Sequence, residues 1–174
     1  MALLINRTQA DKASSAFTAK MTRINVHITT RQGDLADIDT LAPLFDAYRQ
    51  FYGRASDLSG ARAFLHARLH HGESVVFLAF DAAGQAVGFT QLYPSFSSTA
   101  MARIFVLNDL FVCASARQQG VGTGLLTAAA DHARSAGAVR LTLSTATTNA
   151  TAQAVYAAAG WERETQFHVY NLTV

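Results

Sequence analysis

Apolar residues recur at Val121, Leu125, Ala129 and Ala133, the spacing that lays one stripe along a helix, and Gly137 marks its end. A second helical pattern runs from Asp34 to Tyr52 through Ile38, Leu41, Phe45, Tyr48 and Tyr52, with Pro43 expected in its first turn or at a break. A third covers Leu58–His71 and closes at Gly72, and a fourth covers Asn149–Ala159 with Ala152, Val155, Tyr156 and Ala159 on one face. Between these lie strand patterns. Arg23–Thr30 alternates apolar and polar residues, with Ile24, Val26 and Ile28 on one face. Ser74–Phe80 and Ala86–Tyr93 flank a polar DAAGQ turn and read as a hairpin. A loop, PSFSSTA, leads into the long apolar strand Arg103–Cys113; Val139–Leu143 and Gln166–Val174 complete the set. The pattern is a mixed α/β (α+β) domain, antiparallel in its first half and βαβ-like in its second.

A chain of 174 residues with 50% hydrophobic and 15% charged positions fits one globular domain with a proper core. Residues 1–21 read as a loosely ordered leader and 22–174 as the domain, although Met21 could equally be the natural start. The formal charge of +2, without a dense basic run, gives no footprint for nucleic acid. No apolar run approaches the ~20 residues that span a bilayer. One cysteine, Cys113, excludes an internal disulfide and fits a reducing, cytoplasmic setting.

The chemistry concentrates in RQQGVGTGLL, Arg117–Leu126, where Gly120, Gly122 and Gly124 stand at a strand–helix junction. Unpaired N–H groups and the positive end of a helix dipole suit a phosphate there, and glycine lets the backbone approach it. A structural turn is the plainer alternative. A P-loop needs a lysine that this stretch lacks. A Rossmann fingerprint needs a third glycine where Leu125 stands, and an acid after the next strand, where the chain reads STATTN.

Arg117-Gln118-Gln119-Gly120-Val121-Gly122 resembles the pyrophosphate loop of the GNAT superfamily of N-acetyltransferases. Asn149-Ala-Thr-Ala152-Gln-Ala-Val-Tyr156-Ala-Ala-Ala-Gly160-Trp161 resembles the same family's downstream block, N-x-x-A-x-x-x-Y-x-x-x-G-[FW]. Upstream, LNDLFVCASARQQGVG resembles its strand-and-loop motif, with Ala114 at a position often held by proline. The resemblance runs over residues 24–174. It implies a twisted, mostly antiparallel mixed sheet of six to seven strands flanked by about four helices. It also implies acetyl-CoA as acetyl donor and no metal. Leu110, Phe111 and Val112 would offer main-chain groups to pantetheine. The loop Arg117, Gln118, Gln119, Gly120, Val121, Gly122, Thr123 and Gly124 would hold the diphosphate. Asn149 would reach the cofactor, and an N-cap role is equally open to it.

Tyr156 in this register would protonate the thiolate leaving group, though it also fits a core tyrosine on an amphipathic helix. Asp109 is a candidate base, provided that a bulge at Asn108-Asp109 aims it into the site. Tyr48, Tyr52, Tyr93, Asn108 and Asp57, with the loop Tyr93–Ser98, would line an acceptor pocket or serve as core filler. All six histidines read as structural or surface residues, and Cys113 has no activating base. GFTQLYPSFSS and LNDLFV further resemble the diamine (spermidine/spermine) acetyltransferase branch, whose glutamate is Asn108 here. The implied function is direct acetyl transfer to a primary amine of a small molecule in a ternary complex, with a homodimer left open. The alternatives are acetylation of a protein lysine or N-terminus, and a non-catalytic acyl-CoA sensor.

Overall fold

Val121, Leu125, Ala129 and Ala133 are all buried, where their spacing puts them. The computed structural model describes residues 27–174. Its first strand, β1 (Thr29–Gly33), leads through a 3-10 turn at Leu35–Asp37 into α1 (Ile38–Phe51) and then α2 (Leu58–His70). Three strands follow, β2 (Val75–Phe80), β3 (Ala86–Ser97) and β4 (Ala102–Val112). After a 3-10 turn at Ala114–Ala116 come α3 (Val121–Ser135), β5 (Arg140–Leu143) and α4 (Ala150–Ala158). The five strands lie in the order β1-β2-β3-β4-β5. The first four are antiparallel neighbours and β5 runs parallel to β4.

Helices cover both faces of this sheet, which explains why VVFLAF is apolar throughout. On one face Val76, Leu78 and Phe89 pack with Leu41 and Phe45 of α1 and with Ala61 and Leu65 of α2. On the other, Phe77, Ala79, Leu92, Phe105 and Leu107 pack with the α3 stripe, and Val155, Tyr156 and Trp161 join from α4 and its end. No described helix is long and apolar enough to cross a membrane.

Four expectations need correction. The first strand lies later than the alternation suggested, at Thr29–Gly33. Its expected positions Arg23–Val26, like the leader, lie outside the described residues. Pro43 stands in the second turn of α1, which runs through it unbroken. The bond that Pro43 cannot make would go to the Asp39 carbonyl, and both residues are exposed, so water can take its place. The expected loop after Tyr93 is strand as far as Ser97, leaving only a short turn at 98–101. Beyond Leu92, β3 no longer has β2 beside it, so Pro94 meets an open edge where its missing N–H can be tolerated. The final strand expected at Gln166–Val174 is absent, and that segment is exposed. Its apolar residues change parity, with Phe167 and Val169 in one set and Tyr170, Leu172 and Val174 in the other. It therefore offers no single face to bury. The sheet has five described strands where six to seven were expected.

Candidate active site

One extra residue in β4 creates the site. Gln91 of β3 lies opposite Asp109, but the next residue, Leu92, lies opposite Leu107. Asn108 is therefore the additional residue of a β-bulge, as the Asn108-Asp109 pair led us to expect. A one-residue slip exchanges the faces of a strand. Before the bulge, Phe105 and Leu107 join the α3 core; after it, Phe111 joins the α1 side, with Asp109 on the same parity. The bulge also coincides with the end of the β4–β5 pairing, whose last register is Leu107 with Leu143. From Asn108 to Val112, β4 keeps β3 on one side and, among the described residues, has no strand on the other.

Main-chain groups alternate between the two sides of a strand. The Cys113 N–H donates to the Val87 carbonyl on β3 at 2.9 Å. Phe111 shares that orientation, whereas Leu110 and Val112 turn their groups to the open edge. Of the three residues expected to meet pantetheine, Phe111 thus spends its main chain on β3, and its ring packs near Tyr48 and Phe89. The Val112 carbonyl already accepts from Arg117 Nε at 3.2 Å. Leu110 and the Val112 N–H are the groups that remain.

Asp109 is 3% exposed and accepts hydrogen bonds from neutral groups. Gln91 Nε2 donates to Oδ2 at 2.8 Å and Asn108 Nδ2 to Oδ1 at 3.1 Å. The Tyr48 hydroxyl faces it as well. Burial pushes the Asp109 carboxyl up from its ordinary value, and these three neighbours work against that rise. The main chain is held too, since the Thr90 hydroxyl donates to the Asp109 carbonyl at 2.8 Å.

Around the carboxylate stand the expected tyrosines. Burial and the Asp109 charge raise Tyr48, and burial followed by the same charge pushes Tyr93 up to about 12. Tyr48 meets Tyr52 edge-on at 5.1 Å between ring centroids. Tyr52 lies close enough to act on Tyr156 of α4, whose hydroxyl is raised first by burial and then by that neighbour. Tyr156 also packs against Trp161 at 6.2 Å. Asp57 does not belong to this group; it caps α2 by accepting from the Gly60 N–H at 2.8 Å.

The glycine loop lies beyond the end of β4. Gly120 caps α3 with φ +83°, a conformation that suits glycine. The first intrahelical bond runs from the Gly124 N–H to the Gly120 carbonyl at 2.9 Å. The N–H groups of Val121, Gly122 and Thr123 precede that bond and are the free donors of a helix start. A Cβ on Gly122 would meet only Val112, at 4.0 Å. Three free donors, a helix dipole and an open cradle fit a diphosphate.

The remaining loop side chains brace it. Gln119 Nε2 donates to the Ser115 carbonyl at 2.9 Å, Gln118 adopts φ +61°, and the Arg117 guanidinium lies 5.8 Å from the Phe51 ring centroid. Asn149 Oδ1 accepts from the Ala152 N–H at 3.2 Å, which is the capping role. A cleft of about 270 Å3 links Thr123 at the start of α3 to Ala154, Val155, Ala158 and Ala159 of α4.

Among the described residues no group of three His, Cys, Asp or Glu side chains could hold a metal ion. His132 packs edge-on against Phe77 and Phe105, and burial pushes its imidazole down. Burial raises the Cys113 thiol. Sequence reasoning missed Gln91, which is fully buried and contacts both Asp109 and Tyr93. Its signal was a lone amide among the buried residues of AVGFTQLY.

The chain is similar to known proteins. The model of the Acetyltransferase (GNAT) family matches residues 41–161. An uncharacterised N-acetyltransferase of Bacillus subtilis, YhfO, is 51% identical over 144 residues, which is 83% of this chain and 96% of that protein. A crystal structure of a probable acetyltransferase is 43% identical, with TM-score 0.80, over 84% of this chain and 97% of its own. The aminoglycoside N-acetyltransferase AAC(6')-Iy in complex with CoA is 20% identical, with TM-score 0.71, over 88% and 100% of the two chains, a likeness of fold. The matched family, the close relatives and the split strand beside a glycine-rich helix start agree: this chain belongs to the GNAT family and is an acetyltransferase.

Proposed function

We propose that the chain transfers acetyl from acetyl-CoA to a primary amine of a small molecule by direct attack in a ternary complex. The observation that carries this reading is a buried carboxylate, Asp109, whose hydrogen-bond partners are all neutral, set at the edge of an unpaired half-strand. A cationic or proton-bearing acceptor supplies the partner that such a group lacks.

Acetyl-CoA supplies an activated thioester. The chain's own residues do the rest. Val121, Gly122 and Thr123 hold the diphosphate with main-chain N–H groups, on a helix start that Gly120 and Gly124 shape. Leu110 and Val112 offer main-chain partners to the pantetheine arm, and Asn149 adds a polar contact at the start of α4. Asp109 takes a proton from the amine nitrogen as the N–C bond forms. The C–S bond breaks, and Tyr156 gives its hydroxyl proton to the departing sulfur. Burial keeps that proton on the phenol, which suits a donor. Tyr48, Tyr52, Tyr93 and Asn108 shape the acceptor side, where aromatic faces favour an ammonium.

The diamine-branch resemblance narrows the acceptor. Asn108 replaces a carboxylate and spends its amide on Asp109, so the site lacks one charge for a long polyamine. We read the acceptor as a small amine. Thiol release from acetyl-CoA across a panel of amines and a lysine peptide tests this reading. It stands if a small amine is turned over and falls if only the peptide is.

A further inference from the structure

Gln91 is wholly buried between two polar groups, and only one end of its amide is held. Nε2 donates to Asp109 Oδ2 at 2.8 Å and to the Tyr93 hydroxyl at 2.9 Å. Oε1 is buried without a hydrogen-bond partner among the described residues. An amide presents two donors at one end and two lone pairs at the other in nearly the same shape. With Asp109 charged, the NH2 end saturates the pair: one hydrogen goes to the carboxylate and one to the Tyr93 oxygen. With Asp109 protonated, that end meets an O–H it cannot accept. Turned end for end, the amide accepts from both the Asp109 carboxyl and the Tyr93 hydroxyl. The far end, having no partner, does not hold the amide in either orientation.

We propose that Gln91 is a positioning residue whose amide turns over as Asp109 gains and loses its proton. It donates to the carboxylate before acetyl transfer and accepts from the carboxyl afterwards. This rests on the reading of Asp109 as the base. The amine nitrogen loses one proton to Asp109 Oδ2 and gains the acetyl carbon, so the amide follows a proton without taking it. The other groups facing Asp109 are Tyr48 from α1 and Asn108 at the bulge. Tyr93 faces it from β3, and Arg68 of α2 acts on Tyr93. Among these groups Gln91 is the wholly buried amide, joining Asp109 to Tyr93. Asn108 is exposed, so water serves either end of its amide.

The titration needs no acceptor. Protein labelled with 13C-aspartate and 15N-glutamine reports the Asp109 carboxyl and the Gln91 amide by NMR across a pH titration. The Gln91 amide protons are expected to shift with the Asp109 midpoint. In Gln91→Met that midpoint is expected to move by less than one pH unit, because both protonation states lose a partner. A Gln91 amide that stays constant through the Asp109 titration overturns the proposal, as does a Met variant whose midpoint rises by one pH unit or more, the mark of an amide that only donates. If Gln91→Met does not fold, the wild-type titration decides alone. Asp109→Asn assayed with putrescine keeps the two readings apart. A full rate in that variant removes Asp109 as the base, whereas a lost rate with a silent Gln91 amide removes only the role given to Gln91.

Discussion

Gly122 faces Val112 across open space: a Cβ added to it would lie 4.0 Å from Val112 Cγ2 and meet nothing else. The fold therefore does not require glycine there. A diphosphate would, because it needs the backbone uncovered. Gly122→Asp should fold normally and bind acetyl-CoA at least about tenfold more weakly by calorimetry, a loss of about 1.4 kcal/mol. Unchanged affinity in the folded variant places the diphosphate elsewhere.

Gly88 presents the opposite case. A Cβ there would lie 2.7 Å from the Phe111 carbonyl oxygen and 3.2 Å from Val121 Cγ1. The first of these is backbone and cannot step aside. Gly88→Ala should lower stability by about 1–3 kcal/mol, the range for overpacking, as read from denaturant unfolding. A variant as stable as the parent means that β3 and β4 separate more easily than their register implies.

If Tyr156 is the proton donor to sulfur, Tyr156→Phe should lower kcat by about 10²-fold while acetyl-CoA affinity stays nearly constant. The phenyl ring keeps the packing on Trp161, so a loss of rate reports the hydroxyl. A Phe variant at full rate returns Tyr156 to the hydrophobic core.

The acceptor should be small. Losing a carboxylate near a distal ammonium removes a charge-assisted hydrogen bond of roughly 1.5–3 kcal/mol. Spermidine should therefore be a poor substrate beside putrescine or an amino acid with a side-chain amine. Rates should rise from pH 7 to pH 9. The acceptor's ammonium titrates above neutrality, so its free-amine form grows over that range. Comparing kcat/KM for these amines at the two pH values decides it. Spermidine best by tenfold would sink the argument from Asn108.

Asp46 joins α1 to the loop before α2. It accepts from the Asp57 N–H at 2.8 Å, Ser56 Oγ at 2.7 Å and Gln50 Nε2 at 2.9 Å, and these bonds lower its pKa, the Asp57 N–H contributing most. A depressed folded pKa adds stability above the unfolded value, and that stability is lost as pH falls through the folded one. Asp46→Asn should melt below the parent at pH 7, with the gap closing in acid. A gap independent of pH means that the carboxylate charge is not what Ser56 and Asp57 hold.

The interior was legible and the margins were not. The α3 stripe and the β2–β3 hairpin follow from periodicity, because each has one period over many residues. Thr29–Gly33 reads TTRQG, with no apolar alternation, and is held as a strand by pairing to β2. The bulge was legible as a polar interruption, and its effect on the faces of β4 required the register. Gln91 stayed hidden because a buried amide has no periodic signature; its meaning comes from Asp109, 18 positions away.

The half of β4 that β5 leaves unpaired gives the molecule an unfinished sheet, and finishing it is a thermodynamic event. A ligand that docks along Leu110 and Val112 takes the place of a missing strand, so occupancy and melting temperature are linked. At a hundred times its Kd such a ligand adds about 2.7 kcal/mol to the folded state. The heat resistance of this acetyltransferase then becomes a gauge of how much acyl donor surrounds it.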